Sequence, residues 1–278
     1  MIERILFPVD FSRLCSRMAG YVKRVAVMFE SQVTLVHICD PQSHNGFEMY
    51  VRCSPREIAE EHAAAARRNL DSFLTSEFPL DTAPRVLVSG DAATQIAEVA
   101  RTGKFDLIVM PTHAGRFRRM LLGSTTAKVL NDATCPVLTT EHCEAIEPRP
   151  LEHREWVCGV PTGEDAGRVV RFASRAASQV GAKLSLVHVI PHEQQNGQSE
   201  LGRNMEVRRK IVGITEEVGC DATVYVVPGP VKVMLLETAR ACGADALIVG
   251  RPQAGTIGRL RDLTYALVRD SPFPVVSV

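Results

Sequence analysis

A segment that leads from a predicted strand into a predicted helix carries the residues best suited to bind an anion. The apolar run from Leu107 to Met110 is followed by a loop, and Gly123-Ser124-Thr125 then opens a helical pattern. Amides at a helix N-terminus lack intrahelical partners, glycine lets a phosphate approach the backbone, and a hydroxyl adds a donor. The pattern indicates a phosphate site, with an ordinary helix N-cap as the alternative.

The loop in this segment is basic. It contains Arg116, Arg118 and Arg119 within four positions. These side chains would neutralise a bound phosphate, although a solvated charged turn is the commoner meaning of such a cluster.

The composition of the 278-residue chain excludes several classes of partner. The formal net charge is zero, the isoelectric point is about 7.1 and aromatic residues make up only 5%. No global field therefore favours a nucleic acid or an anionic membrane, and few rings are available to stack on bases. The first residues lack the pattern of a signal peptide, and no apolar run approaches the length of a membrane span, so we expect a cytosolic protein.

The side chains typical of metal sites and catalytic centres do not occur in recognisable motifs. The eight cysteines form no CxxC pair, and all except Cys53 and Cys143 lie in mostly apolar segments, as expected for reduced core thiols. No Walker lysine, HExxH or Ser-His-Asp motif is present. We therefore expect no metal site and no committed catalytic activity.

Strands alternate with helices along the first half of the chain. The predicted strands are 2–9, 32–39, 85–89, 107–110 and 135–140, and the predicted helices are 13–29, 55–76, 91–101 and one that begins near 124. This alternation predicts an α/β fold with a doubly wound parallel sheet between two helical layers, Rossmann-like or flavodoxin-like. Ligands of such sheets bind beyond the carboxyl ends of the strands, where Asp10, Ile38 and the 111–124 loop are expected to lie.

The second half of the chain repeats the pattern of the first. Four matches occur in the same order: Leu35–Ile38 with Leu186–Val189, Gly90-Asp91 with Gly229-Pro230, Asp106–Val109 with Asp245–Val249, and Cys135–Val137 with Phe273–Val275. This order indicates an internal duplication with a pseudo-twofold relationship. A charged stretch with two prolines separates the copies, so we predict domains at 1–140 and 154–278 joined by a linker at 141–153.

Taken together, these segments resemble the universal stress protein family. Ile5–Ser12 is similar to that family's opening strand and acidic turn, Leu35–Ile38 to its second strand, and Met110–Ser124 to its phosphate loop. The duplication identifies the chain as a tandem member. The resemblance implies that the first repeat binds an adenine nucleotide (ATP, ADP or AMP, with Mg²⁺ as a companion ion). The residues it implicates are Asp10, Ile38, Thr112, His113, Gly123, Ser124 and Thr125.

The loop departs from the family pattern Gly-x2-Gly-x9-Gly-Ser/Thr. Pro111 stands at the first glycine and Ala114 at the second, and only eight residues separate Ala114 from Gly123. Pro111 removes an amide donor, and Ala114 adds a methyl group where a phosphate approaches. The shorter loop would bring Gly115 into the missing role, and we include Gly115 among the expected binding residues.

Three of the polar residues have structural alternatives. Asp10 would serve equally as the N-cap of the first helix, and His113 as a solvent-facing loop side chain. His37 recurs as His188 in the second repeat, which predicts a packed, hydrogen-bonded histidine in both repeats.

The second repeat lacks the expected site. Pro161 takes the place of Asp10, Arg251-Pro252-Gln253 that of Pro111-Thr112-His113, and Arg261-Asp262 that of Gly123-Ser124. A carboxylate at the last position would repel a phosphate, so we expect no nucleotide there.

Three functions stay open at this point. The first is an adenine-nucleotide-binding stress or regulatory protein whose bound state sets its interaction with an unknown protein partner. The second is a nucleotide-free interaction scaffold, and the third is a slow ATP hydrolase that uses Asp10 or His113.

Each repeat ends in a short apolar strand that would leave an unpaired sheet edge. We expect the two strands, 135–140 and 273–278, to lie side by side in an intramolecular pseudo-dimer, with a homodimer of the whole chain also open.

Overall fold

The computed structural model describes residues 1–39, 55–112, 122–140, 154–161, 163–191, 200–251 and 259–278. In the first repeat the elements are β1 Arg4–Pro8, α1 Arg13–Phe29, β2 Gln32–Cys39, α2 Pro55–Ser72, β3 Arg85–Ser89, α3 Ala92–Thr102, β4 Leu107–Pro111, α4 Ser124–Asp132 and β5 Val137–Thr140. In the second repeat they are β6 Glu155–Gly159, α5 Asp165–Val180, β7 Lys183–Ile190, α6 Glu200–Val218, β8 Thr223–Pro228, α7 Val231–Ala241, β9 Ala246–Val249, α8 Arg259–Asp270 and β10 Val275–Ser277.

The first compact unit, which includes Ile2–Pro136, is built on parallel strands in the order β3-β2-β1-β4. Phe7 of β1 lies opposite Leu35 of β2, and Leu6 lies opposite Ile108 of β4. Each of these side chains is fully buried, as near-continuous apolar strands require when helices cover both faces of a sheet. The predicted doubly wound α/β fold is confirmed.

The second compact unit contains the strands β5-β10-β9-β6-β7-β8 in that order. Val276 of β10 pairs in parallel with Ile248 of β9 and in antiparallel with Leu138 of β5. The predicted side-by-side placement of the two terminal strands is therefore confirmed, because β5 covers the edge that β10 would otherwise leave open.

Matching hydrogen bonds mark the duplication. His37 Nδ1 lies 2.8 Å from the carbonyl oxygen of Val9, and His188 Nδ1 lies 2.9 Å from that of Val160. Since a carbonyl only accepts, Nδ1 carries the proton in both rings. The prediction of a structural histidine in each repeat is confirmed.

Helix α2 ends at Ser72, four residues before the predicted end. Leu74 adopts a left-handed backbone conformation with φ 54°, which stops the helical hydrogen bonding. The guanidinium of Arg85 donates to the carbonyl oxygens of Leu70, Phe73 and Phe78, so a residue of β3 satisfies carbonyls at this turn. A sequence window around the helix cannot show a donor that arrives from a later strand.

Six of the cysteines fall within the described residues, and all six are free thiols. Cys15 and Cys158 are buried, whereas Cys53 and Cys143, the two expected exceptions, lie outside the described residues. No helix in the described part of the chain is both long and apolar enough to cross a bilayer.

Candidate functional site

Three neighbouring strands of the first unit, β2, β1 and β4, end at the same edge of the sheet. Asp10 lies two residues beyond β1, Ile38 is close to the end of β2, and Thr112 directly follows β4. The N–H of Val9 donates to the carbonyl of Val36 at 2.8 Å, which keeps the exit of β1 beside β2. The structure thus brings these three predicted residues to one edge, because parallel crossovers align the carboxyl ends of the strands.

Asp10 is not the N-cap of α1. Ser12 is the capping residue, and its hydroxyl accepts the N–H of Cys15 at 3.3 Å. Asp10 as a whole residue is exposed, but its Oδ1 is partly shielded from solvent because it accepts both the N–H of Ser12 and the thiol of Cys15, each at 2.9 Å. The N-cap alternative for Asp10 is therefore wrong, because the turn places Ser12 rather than Asp10 next to the first helical amides.

The pKa values of Asp10 and Cys15, which lie in and just after the turn between β1 and α1, both differ from their ordinary values. Partial burial acts to raise the pKa of Asp10, but hydrogen bonds from Cys15 and Ser12 outweigh it and hold the pKa below its ordinary value of 3.8. Burial and the neighbouring negative charge of Asp10 raise the pKa of the Cys15 thiol to about 12. At neutral pH the pair is a carboxylate that accepts from a neutral thiol.

This depressed pKa predicts a pH-dependent contribution of Asp10 to stability. A carboxyl group whose pKa is lower in the folded chain stabilises it above the unfolded pKa and loses that contribution as pH falls through the folded pKa. We expect Asp10→Asn to be less stable than the wild type at neutral pH, and the difference in free energy of unfolding to shrink as pH falls below 3.8, the ordinary pKa of the carboxyl group. Urea denaturation of both proteins across pH measures it. Asp81→Asn, which removes an exposed carboxylate of the same unit, is the control, and a pH-independent difference for Asp10→Asn would contradict the prediction.

Phe11 has the strained backbone of this turn. Its φ of 60° is in the left-handed region, which a bulky side chain rarely adopts. The ring lies over His37 with centroids 4.2 Å apart and meets Phe73 edge-on at 5.3 Å. Sequence reasoning assigned no role to Phe11 or Cys15. The strain and the thiol contact emerge only once β1, β2 and α1 are assembled.

On the other side of the edge, β4 is tied to the start of α4. The carbonyl of Thr112 accepts the N–H of Gly123 at 3.1 Å, and the hydroxyl of Thr126 donates to the carbonyl of Pro111 at 3.0 Å. Thr112 is 1% exposed, and its Oγ1 has no hydrogen-bond partner in the described part of the chain. A buried hydroxyl without a partner calls for an explanation, and a bound group that hydrogen-bonds to it would be one.

The N-terminus of α4 is uncapped. Gly123 is the N-cap residue, no side chain of the described residues accepts from the first turn, and that turn contains no acidic residue. Ser124 is the first helical residue and is exposed, while Thr125 is half-buried. The alternative that Ser124 is the N-cap is therefore wrong, because the backbone turns into the helix one residue earlier.

The remaining loop residues of the predicted site lie outside the described residues. These are His113, Gly115 and the three arginines Arg116, Arg118 and Arg119. The described residues suit an anion with several acceptor atoms, because open helix amides and an unpartnered buried hydroxyl meet at the end of β4.

The second repeat shows that one predicted correspondence was wrong by a residue. Thr264 Oγ1 donates to the carbonyl of Gly250 at 3.1 Å, which repeats the bond from Thr126 to Pro111. Gly250, not Arg251, is thus the counterpart of Pro111. Strand pairing explains the difference, since β9 is aligned by its neighbour β6, whereas sequence comparison left the register of a short apolar run open.

The corresponding edge of the second repeat is occupied by its own apolar side chains. A Cβ placed on Gly250 would lie 3.1 Å from Val169 and 3.4 Å from the ring of Pro161, the residue at the position of Asp10. The second repeat therefore lacks the carboxylate of the first edge, and Pro161 and Val169 lie against Gly250. The side chains of Arg261 and Asp262 lie outside the described part.

Comparison with known proteins matches both halves of the chain to one family. The universal stress protein family model matches residues 1–140 and 156–278. A universal stress protein from Methanocaldococcus jannaschii is 27% identical over 143 residues, 51% of this chain and 83% of that protein. One from Thermus aquaticus is 30% identical over 140 residues, 50% of this chain and 98% of that protein.

Solved structures of similar fold cover the whole chain. The crystal structure of a universal stress protein from Archaeoglobus fulgidus matches 100% of this chain and 98% of its own, with a TM-score of 0.71 and 18% identity. A functionally unknown protein from Pseudomonas aeruginosa matches 100% and 92%, with a TM-score of 0.62 and 16% identity. Because both solved structures are less than 25% identical to this chain, their similarity shows that the fold is shared and nothing more specific. Because the family model matches two segments that together span nearly all of the sequence, the chain belongs to the universal stress protein family.

Proposed function

We propose that the first repeat binds an adenine nucleotide between Asp10 and the N-terminus of α4, and that the chain is a cytosolic regulator whose nucleotide state sets its interaction with a protein partner. The buried Thr112 hydroxyl beside the uncapped start of α4 is the observation that carries this proposal. The Thr112 hydroxyl and the amides at the start of α4 can both donate hydrogen bonds to a ligand that is rich in acceptor atoms. A phosphate is a common ligand of such a helix N-terminus.

The charges of the site orient the nucleotide. The carboxylate of Asp10 is ionised at neutral pH because its pKa is low, so it accepts hydrogen bonds from hydroxyl groups and repels phosphates. The start of α4 has the opposite preference, because its free amides carry partial positive charge. A molecule with a sugar at one end and phosphates at the other satisfies both, with the ribose at Asp10 and the phosphates at Ser124 and Thr125.

Two further parts of the assignment come from the family resemblance. The backbone of Ile38, beside Asp10 in the next strand, would contact the base, and His113 and Gly115 would complete the phosphate loop. Adenine as the base and Mg²⁺ as the companion ion also rest on this resemblance.

The alternatives have weaker support. A nucleotide-free scaffold is favoured by the second repeat alone, where Pro161 and Val169 occupy the space beside Gly250. As the general base of a hydrolase, Asp10 would be poor, because its carboxylate already accepts two hydrogen bonds and has a lowered pKa. The other candidate for that role, His113, lies outside the described residues.

Titration calorimetry with ATP, ADP and AMP, each with and without Mg²⁺, tests the proposal. We expect saturable binding with a stoichiometry of one nucleotide per chain, because the second repeat has Pro161 in place of the Asp10 carboxylate. Chromatography of nucleotide released from the denatured protein gives the occupancy on purification. A stoichiometry of two would contradict the inactive second repeat, and no binding of any of the three would favour the scaffold.

A further inference from the structure

We propose that Cys15 is a positioning residue of the nucleotide site, whose thiol fixes the Asp10 carboxylate so that Oδ2 is directed to the ribose hydroxyls. The inference rests on the proposed function. It concerns a contact that the sequence pattern did not single out, between a residue of the β1 turn and a residue in the first turn of α1.

The two oxygens of the Asp10 carboxylate have different roles: Oδ1 accepts the hydrogen bonds from within the chain, and Oδ2 faces the ligand in this proposal. The Cys15 Sγ lies 2.9 Å from Asp10 Oδ1 and 4.0 Å from the carbonyl oxygen of Pro8, so the nearer acceptor takes the S–H. The N–H of Ser12 donates to the same Oδ1 at 2.9 Å. Two donors from different directions fix the side-chain torsion of Asp10, and Oδ2 takes neither of them.

The thiol is suited to this role and not to covalent chemistry. Cys15 is 3% exposed, so oxidants and alkylating reagents reach it poorly. Because burial and the Asp10 charge raise its pKa to about 12, it stays protonated at neutral pH and continues to donate. A sulfur that is never a thiolate under these conditions is a hydrogen-bond donor and no nucleophile.

The second repeat supplies a control within the same chain. At the position of Cys15 it has Ala166, which is buried in the first turn of α5, and at the position of Asp10 it has Pro161. The thiol and the carboxylate are thus absent together. Since α5 forms with alanine at this place, Cys15→Ala should leave α1 folded.

The expected effect is that of losing one hydrogen bond from a constrained carboxylate. Without the thiol, Asp10 keeps the bond from Ser12 but regains torsional freedom. We expect the dissociation constant for ATP to rise about three- to tenfold in Cys15→Ala. Cys15→Ser should restore near wild-type affinity, because its hydroxyl also donates.

The test combines affinity with a readout that needs no nucleotide. ATP affinity is measured by calorimetry on the full chain, and the Asp10 pKa is measured by carboxyl ¹³C NMR on the ligand-free protein. In Cys15→Ala we expect weaker binding and a higher Asp10 pKa, both reversed in Cys15→Ser. In the Asp10→Asn background, Cys15→Ala should cause no further loss. Cys158→Ala, which removes a buried thiol from the second unit, should leave affinity unchanged.

The outcomes separate the inference from the proposed function. Wild-type binding with an unchanged Asp10 pKa in Cys15→Ala overturns the positioning role alone, as does failure of Cys15→Ser to restore affinity. Absence of binding by the wild type overturns the proposed function and this inference with it. If Cys15→Ala does not fold, Cys15→Val, which fills the volume without a donor, is held to the same expectation.

Discussion

Replacing Ser124 with aspartate should abolish nucleotide binding by the first repeat while leaving the fold intact. Ser124 is the exposed first residue of α4, and no acidic residue lies in that turn. A carboxylate about 4 Å from a phosphate charge costs on the order of 4 kcal/mol at an effective dielectric near 20. That penalty corresponds to a loss of roughly several hundredfold or more in affinity.

The same change should not harm the helix. Aspartate at the first turn interacts favourably with the helix dipole, by about 0.3 to 1 kcal/mol. We therefore expect the melting temperature of Ser124→Asp to equal or slightly exceed that of the wild type. Loss of nucleotide affinity together with an unchanged melting temperature would distinguish a phosphate site from a turn that has only a structural role.

Two further variants at this position separate charge from hydrogen bonding. Ser124→Ala removes a charge-assisted donor worth about 1.5 to 3 kcal/mol, so affinity should fall about ten- to a hundredfold. Ser124→Asn resembles aspartate in shape but carries no charge, and it should retain measurable binding. Calorimetric affinity and melting temperature are measured on all three. If Ser124→Asp binds ATP as tightly as the wild type, the phosphates do not lie at α4 and the site is elsewhere.

Replacing Val276 with aspartate should strongly destabilise the second unit. Val276 is 5% exposed in β10, between Leu138 of β5 and Ile248 of β9. An unpaired carboxylate at that position either stays charged at a cost of several kcal/mol or is neutralised with a strongly raised pKa. A loss of at least about 4 kcal/mol is a large share of the 5 to 15 kcal/mol typical of a folded domain.

A matched substitution tests whether the effect depends on burial. Val233 lies in α7 of the same unit and is 45% exposed, so Val233→Asp should change stability by no more than about 0.5 kcal/mol. Denaturant unfolding followed by circular dichroism compares the two variants with the wild type. Removal of 273–278 should have at least the effect of Val276→Asp, since it exposes both β5 and β9. Equal stability of Val276→Asp and Val233→Asp would mean that β10 is not an interior strand.

Local sequence patterns are enough to predict the order of the elements and the sheet edge that the candidate residues share. Apolar runs such as 107–110 and the helical pattern of 13–29 are local signals, and each became the strand or helix that its period predicted. The alternation of strands and helices implied a parallel sheet, and a parallel sheet brings Asp10, Ile38 and Thr112 to one edge. The recurrence of a histidine at positions 37 and 188 likewise predicts the hydrogen-bonded, structural role that both rings have.

Which atoms meet at that edge depends on the folded arrangement of several elements. Ser12 occupies the N-cap position of α1 and Gly123 that of α4, each one or two residues from the expected position, because the N-cap position depends on backbone torsions at a single residue. The thiol of Cys15 reaches Asp10 only because the turn between β1 and α1 folds the two together. Gly250 corresponds to Pro111 because β6 sets the register of β9. Hydrophobic period is a property of a short window, whereas a hydrogen-bond partner or a strand register depends on chain segments that only the folded structure brings together.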